Sequence, residues 1–184
     1  MVMEVLGQLE SKILGWLKGV PHLPEVVRAW LGTNVWWIVL VGVVLAVFGL
    51  IMSVLGLFAL MSLVGSFGAT SYVAATTGPW AIVTALVSLA FLVIQIIILA
   101  MAIKPLQLKQ KKGWVLLFVE WLISVVAVVL GAVLSLNVLS FITGILFGAI
   151  GIAISGYFLF EIHSQFAHVE KSRGVKEAIK TKKA

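Results

Sequence analysis

The spacing of the charged residues restricts the fold of this chain more than any other feature of its sequence. No Asp, Glu, Lys or Arg occurs in the 75 residues from Ala29 to Ile103, or in the 40 residues from Trp121 to Phe160. A membrane-crossing helix needs about 20 apolar residues, so the first segment has room for two or three such helices and the second for two at most. Both segments are apolar on every face, unlike β-barrel strands, in which apolar and polar residues alternate.

The composition supports the same conclusion. Charged side chains make up 11% of the 184 residues, against about 25% in soluble domains. A soluble globular protein, a disordered chain and a nucleic-acid-binding domain are therefore excluded. The sequence contains no Cys, which also excludes disulfides and thiolate metal ligands.

We predict an all-α integral membrane protein with four transmembrane helices, at about residues 34–64, 80–103, 114–136 and 140–162. All four prolines lie outside these spans, as expected for a residue that breaks helices. Thr33 and Asn34 are predicted to cap the first helix. The small, uncharged residues 65–79 are predicted to form a loop.

The first predicted span is unusually long. At 1.5 Å per residue it extends about 45 Å, which is more than the roughly 30 Å thickness of the hydrocarbon core. We expect this helix to tilt or to project past the bilayer. A break at Gly49 or Gly56 is the alternative.

Lys and Arg alternate between the two ends of the predicted spans. The segments before, between and after the spans contain three, none, four, none and six basic residues in chain order. Since cytoplasmic segments carry the excess of Lys and Arg, we expect both termini in the cytoplasm and a bacterial inner (plasma) membrane as the location. Tryptophan is expected at the interfaces: Trp30, Trp36, Trp37 and Trp114 on the cytoplasmic side, and Trp80 on the other.

Residues 1–33 are predicted to form an N-terminal amphipathic interfacial helix and a Pro-containing connector. Apolar residues recur every three or four positions from Val2 to Val20, which is typical of a helix lying at a membrane surface. Pro21 and Pro24 end this helix, and a second short helix over residues 25–31 is expected. A docking surface for a partner protein is the alternative role, because the polar face is nearly neutral whereas lipid-binding helices favour Lys and Arg there.

Small residues recur at helical spacing in three of the predicted spans, and the third span carries Ser124 and Ala127. The stripes of the other two are Gly42, Ala46, Gly49, Ser53 and Gly56 in the first span and Gly144, Gly148 and Gly151 in the fourth, where Gly144 and Gly148 form a GxxxG motif. In lipid, helices associate by close backbone approach at small residues. We expect these helix-packing residues to hold one four-helix bundle together. The alternative is that a stripe faces outward and packs against a second copy or a larger membrane complex.

Glu120 is the only ionisable residue well inside a predicted span, which makes it a candidate functional group. The candidate intramembrane polar site, expected to converge near the cytoplasmic end, is Gln95, Glu120, Tyr157 and Glu161, with His163 beside it. We expect Glu120 to pair with Lys104 or Lys112, or to reach the interface. A proton or cation site and a polar contact to a partner subunit are the alternatives.

The basic loop at residues 104–113 and the basic cytoplasmic tail at residues 163–184 are predicted to contact lipid. Near an anionic inner leaflet each Lys or Arg contributes about 1 kcal/mol of binding. The residues predicted to make these lipid contacts are Lys109, Lys111, Lys112, Lys171, Arg173 and Lys176.

Groups suited to catalysis are scarce. The chain has three His and no Asp, and none of the common catalytic or nucleotide-binding motifs occurs. We expect no enzymatic activity, no cofactor, no metal site and no nucleic-acid partner. The preferred function is a non-enzymatic accessory or scaffolding subunit that packs with itself or with a larger membrane complex. The alternative is a small transporter or channel that uses Glu120.

Overall fold

The computed structural model describes residues 2–17, 19–67, 72–135 and 137–166, and the regular structure within these ranges is helical. A further turn of helix covers residues 163–166. The helices are α1 (Val2–Leu17), α2 (Glu25–Phe67), α3 (Tyr72–Gln107), α4 (Lys111–Leu134) and α5 (Val138–Glu161).

Helices α2 to α5 each contain a segment long and apolar enough to cross a membrane. They match the four predicted spans in number and order, so the all-α prediction with four long apolar helices is confirmed, and these helices indicate a membrane protein. Helix α2 is the longest. Its 43 residues extend about 65 Å at 1.5 Å per residue, roughly twice the thickness of a hydrocarbon core.

Helix α2 starts nine residues before the predicted span, and residues 25–31 are its first turns rather than a separate helix. The capping prediction is therefore wrong. Thr33 Oγ1 donates to Ala29 O over 2.9 Å, and Asn34 Nδ2 donates to Trp30 O over 2.9 Å. Each bond reaches the carbonyl four residues earlier, which is how short polar side chains are satisfied inside a helix.

Two prolines lie inside helix α3, which contradicts the prediction that all four lie outside the helices. Pro105 stands two residues before the helix ends, so few turns remain to be disturbed by its missing N–H. Pro79 belongs to the segment that was predicted as a loop. Most of that loop is helical, because α2 continues to Phe67 and α3 begins at Tyr72; residues 68–71 lie outside the described ranges.

The turn between α3 and α4 is shorter than the predicted basic loop. Gln110 N donates to Pro105 O over 2.9 Å and Lys109 N donates to Leu106 O over 3.0 Å. This pair of bonds is the Schellman arrangement that closes a helix with a left-handed residue. Lys109 holds that position with φ 50°, although Gly usually does.

The two helices joined by this turn also approach each other closely at the start of α4. A Cβ at Gly113 would stand 2.7 Å from Leu106 N, so only glycine lets the two helices meet here. At the other connection, Asn137 caps α5, because its Oδ1 accepts from Leu139 N over 2.8 Å and from Ser140 N over 3.4 Å. Both turns bring the following helix back beside the preceding one.

Helices that follow one another in the chain are the ones that pack closely: α2 with α3, α3 with α4, and α4 with α5. We call the end of these helices at the α3–α4 turn the basic end, and the opposite end the neutral end. Helix α2 begins and helix α5 ends at the basic end. The buried apolar core lies near the basic end and consists of Val35, Val39, Ala102, Leu106, Trp114, Leu117, Phe118, Leu159, Phe160, Ile162 and Phe166.

Trp114 is the centre of this core, so it faces protein rather than lipid, and its location at the depth of the membrane interface stays a prediction. Its side chain is 0% exposed. Its ring stacks on Phe118 at a centroid distance of 5.4 Å, and Nε1 donates to Leu159 O over 2.8 Å. An indole needs a partner for its single N–H, and the carbonyl on α5 supplies one inside the protein.

Candidate functional site

The first polar cluster of the described residues lies between α3 and α4, within two of the apolar helices. Gln95 Nε2 donates to Ser124 Oγ over 2.7 Å and to Glu120 Oε1 over 3.4 Å. Ser124 Oγ in turn donates to Glu120 Oε1 over 2.9 Å. We call Gln95, Glu120 and Ser124 the Glu120 cluster. Its two neutral donors converge on a single carboxylate oxygen.

Two cavities border the Glu120 cluster. The first has a volume of about 760 Å³, lies among α2, α3 and α4, and includes Gln95 in its lining together with Ser53, Thr84 and Ser88. The second has a volume of about 440 Å³ and is lined by residues of all four long helices, with Glu120 in its wall. The cluster thus lies between a hydroxyl-bearing cavity and a mainly apolar one.

The expected ion pair of Glu120 with Lys104 or Lys112 does not occur in the structure. Within the described ranges, the side-chain ion pairs involve Glu10 and Glu161 only. Lys112 lies two turns of α4 before Glu120, at the exposed start of that helix. The carboxylate is therefore stabilised by neutral hydrogen-bond donors, without a basic partner among these residues.

The second polar cluster joins the connector after α1 to the end of α5. His22 Nδ1 lies 2.7 Å from Glu161 Oε1, and Leu23 N donates to Glu161 Oε2 over 3.1 Å. Arg28 Nε lies 3.8 Å from the same Oε2. Tyr157, one turn earlier, donates from its hydroxyl to Pro21 O over 2.8 Å. We call these residues the Glu161 clasp.

Glu161 binds the connector from a position that is buried among apolar residues. Its side chain is 4% exposed, and its neighbours Phe160 and Ile162 belong to the core. A buried carboxylate needs hydrogen bonds or an opposite charge. The connector supplies the hydrogen bonds, and Arg28 in the first turns of α2 supplies the charge. The position of the connector is therefore fixed by α5 as well as by its own prolines.

Helix α1 packs against the same end of the protein. Leu6, Ile13, Leu14 and Leu17 are half-buried against the core, and His163 Nε2 lies 2.6 Å from Glu10 Oε1. The sequence predicts lipid or a partner protein against this apolar stripe, but in the structure the chain's own core covers part of it. Trp16 is 72% exposed, so another part of the helix surface stays open.

The candidate polar residues were expected to converge at one place, and the structure brings them together in two groups. Gln95 and Glu120 share the first cluster, while Tyr157 and Glu161 belong to the clasp. Within the described part of the chain, no hydrogen bond or ion pair joins one group to the other. No three His or Glu side chains in that part lie close enough together to hold a metal ion.

The predicted helix-packing glycines divide into two classes. Gly148 approaches the side chain of Val128 closely, so it lets α5 meet α4. A Cβ on any of the other five would meet nothing within 4 Å. These five open positions are Gly42, Gly49, Gly56, Gly144 and Gly151. Ala46 is half-buried on α2, and Ser53 lines the larger cavity.

The predicted lipid-contact residues fall partly inside the described ranges. Lys109 is half-buried, and its Nζ donates to Thr33 Oγ1 over 3.0 Å. Lys111 and Lys112 open helix α4, where Lys111 is half-buried and Lys112 is exposed. Lys171, Arg173 and Lys176 lie outside the described residues.

Sequence reasoning grouped Gln95 with Glu120 but did not find the other partners of these acids. No role was predicted for His22, and Ser124 was predicted only as a small helix-packing residue. Glu120 and Ser124 are four residues apart and therefore lie on the same face of the helix. This spacing could have indicated their contact. No local pattern joins His22 to Glu161, which follows 139 residues later.

The comparisons with known proteins leave the geometry as the only basis for a functional proposal. No family model matches this chain, and neither the search of curated proteins nor the search of solved structures gave a match.

Proposed function

We propose that the protein is a non-enzymatic accessory or scaffolding subunit that spans the membrane and packs with itself or with a larger membrane complex. The observation that carries this proposal is the set of open glycines. In lipid, helices associate through close approach at small residues rather than through hydrophobic burial. In the described part of the chain, a Cβ on any of five glycines of α2 and α5 would meet nothing within 4 Å. Gly56 lines the larger cavity, so the other four are the ones that offer such surfaces.

The arrangement of the core supports the same role. The helices are joined firmly near the basic end, where the core and the Glu161 clasp lie. Large apolar side chains remain exposed along α2 and α5, for example Phe48 and Phe147. Lipid can cover such residues. A helix face that carries glycines is stabilised most when the backbone of a second helix packs closely against it. The chain thus packs against itself at the basic end and leaves faces of α2 and α5 open for contact with another helix.

The proposed orientation places both termini and the basic end in the cytoplasm. It rests on the alternation of Lys and Arg along the chain and on the fact that the α3–α4 turn, the start of α2 and the end of α5 share one end. Single cysteines introduced at Ser66 and at Gln107 test it. A membrane-impermeant thiol reagent added to intact cells should label only the first, and labelling of both from one side contradicts this topology.

The scaffold role is tested by enlarging the open glycines of α5. Gly144→Leu and Gly151→Leu should lower the fraction of full-length protein recovered in oligomers or complexes after mild extraction from its membrane. Ala149→Leu is the matched control, because Ala149 is exposed on the opposite side of the same helix. A parent protein that is recovered only as a monomer without partners contradicts the proposal.

A small transporter or channel is the second candidate, because the Glu120 cluster lies between two cavities. An acid within an apolar helix is costly and commonly marks an ion or proton path. Glu120→Gln should then abolish ion flux in liposomes that contain the full chain. Glu25→Gln, at an exposed position in the first turn of α2, is the matched control. Equal flux in both variants, or none in the parent protein, eliminates this candidate.

A further inference from the structure

The smaller cavity has the size and lining of a site for a small organic molecule. Its volume of about 440 Å³ falls within the range of roughly 300–1,000 Å³ found for ligand pockets. Val39, Leu117 and Leu159 contribute apolar surface, and Glu120 and Ser155 are the polar residues of the lining. Such a cavity favours a mostly apolar ligand that satisfies one charged group.

The charged group is a carboxylate with one oxygen available. Gln95 and Ser124 both donate to Glu120 Oε1. Oε2 accepts no hydrogen bond from any residue that the structure describes, and it is not fully enclosed. Oε2 therefore has some exposed surface, and Glu120 lies in the wall of this cavity. An ionised carboxylate in a low-dielectric site needs an opposite charge, and no described Lys, Arg or His lies within ion-pair distance.

Aromatic rings in the same wall add to the preference for a cation. Trp121 and Phe158 both line the cavity. The indole of Trp121 is held in place, because Nε1 donates to Ile152 O over 3.0 Å and the ring packs against Gly156. A cation within about 6 Å of an aromatic ring face is attracted to it, most strongly where water is excluded.

The lining distinguishes an organic cation from a metal ion. A hard cation such as Na⁺ or Mg²⁺ must exchange water for several oxygen ligands. Here Ser155 directs its hydroxyl to Gly151 O over 2.8 Å, and the other residues that line this cavity with Glu120 are apolar or aromatic. A lipophilic cation needs one counter-charge and otherwise apolar contact, which is what this cavity provides.

We propose that the cavity beside Glu120 binds a lipophilic organic cation, meaning an ammonium or phosphonium centre with apolar substituents. The cation lies next to Glu120 Oε2, with its substituents against Trp121, Phe158 and Leu159. The cavity lies between α2 and α5, which are not a closely packed pair. The proposal rests on the second candidate function, since it names the substrate class for a path through Glu120.

Equilibrium binding of tetraphenylphosphonium to the full chain in lipid nanodiscs tests the proposal, with empty nanodiscs subtracted. The parent protein should show saturable binding, and Glu120→Gln should weaken it about tenfold or more, which corresponds to roughly 1.4 kcal/mol. Ser155→Phe should also remove binding, because it fills the cavity and leaves the carboxylate in place. Glu25→Gln should bind as the parent does.

A neutral compound of similar shape, triphenylphosphine oxide, separates the charge from the apolar surface. It should neither bind in a saturable way nor compete with the cation. No saturable binding by the parent, equal binding by Glu120→Gln, or effective competition by the neutral compound overturns the proposal. The last result would assign the cavity to lipid acyl chains.

The binding test and the flux test fail independently. Saturable binding without ion flux leaves the cation site standing and removes the transport function. Glu120-dependent flux of small ions without binding of tetraphenylphosphonium leaves transport standing and removes the cation site.

Discussion

His22 Nδ1 lies 2.7 Å from Glu161 Oε1, although 139 residues separate the two in the chain. This contact fastens the connector after α1 to the end of α5. The same carboxylate also accepts a hydrogen bond from Leu23 N over 3.1 Å. One buried acid therefore helps to hold the N-terminal part of the chain on the helices that could cross the membrane, together with the contact of Glu10 with His163.

The first prediction concerns this acid. Glu161→Gln should destabilise the protein by about 1.5–3 kcal/mol, which is typical for a hydrogen bond to a charged group. Thermal unfolding in detergent should show the loss, and hydrogen exchange should become faster in residues 5–23. Glu4→Gln is the control, because Glu4 is exposed on α1. Unchanged exchange in residues 5–23 would show that the clasp does not hold the connector.

The second prediction concerns the left-handed residue of the α3–α4 turn. Lys109 has φ 50°, a conformation that costs a residue with a Cβ about 1 kcal/mol. Lys109→Gly and Lys109→Ala both remove the bond from Nζ to Thr33 Oγ1, but only the glycine relieves the strain. Lys109→Gly should therefore be more stable than Lys109→Ala by about 1 kcal/mol in thermal unfolding. Equal stability of the two variants contradicts the Schellman geometry.

The third prediction separates the two glycines of the GxxxG motif. Gly148 meets Val128 of α4 closely, whereas a Cβ at Gly144 meets nothing within 4 Å. Gly148→Ala should destabilise the monomer by about 1–3 kcal/mol through overpacking. Gly144→Ala should leave its stability equal or slightly higher, since Ala favours helix over Gly. Similar losses in both variants would mean that Gly144 also packs within the monomer.

The fourth prediction concerns the buried tryptophan of the core. Trp114→Phe removes the donor to Leu159 O and leaves a small gap, so it should cost about 1–3 kcal/mol of unfolding free energy. Trp37→Phe is the matched control, because Trp37 is exposed on α2, and it should cost less than about 0.5 kcal/mol. Trp114 should also be protected from aqueous fluorescence quenchers. A comparable cost for both substitutions contradicts the assignment of Trp114 to the core.

The number and order of the long helices could be predicted because the charge-free segments impose them. Hydrocarbon tolerates only a backbone whose polar groups are satisfied internally, so a charge-free segment of this length is helical whatever its local preferences. Helix ends were predicted less well. Thr33 and Asn34 have the chemistry of caps, but their side chains bond backward inside α2, and the sequence favours neither choice.

The candidate site was predictable in part. Gln95 and Glu120 could be grouped because each lies eight or nine residues from a Lys of the same basic loop, whereas the contact of Glu120 with Ser124 was not predicted. Glu120 was found because a single acid in an apolar helix is conspicuous, and its partner Ser124 lies one turn later. The contacts of Glu161 depend on the path of the whole chain, since they join α5 to the connector at His22 and Leu23. Trp114 was assigned to the interface because a tryptophan near a basic loop has the same local pattern whether it faces lipid or protein.

The position of the aromatic core has a mechanical consequence. The core residues Trp114, Phe118 and Phe160 pack the helices together near the basic end. Farther along, a cavity of about 760 Å³ lies among α2, α3 and α4. The helices are therefore expected to loosen first around this cavity, and last at the aromatic core.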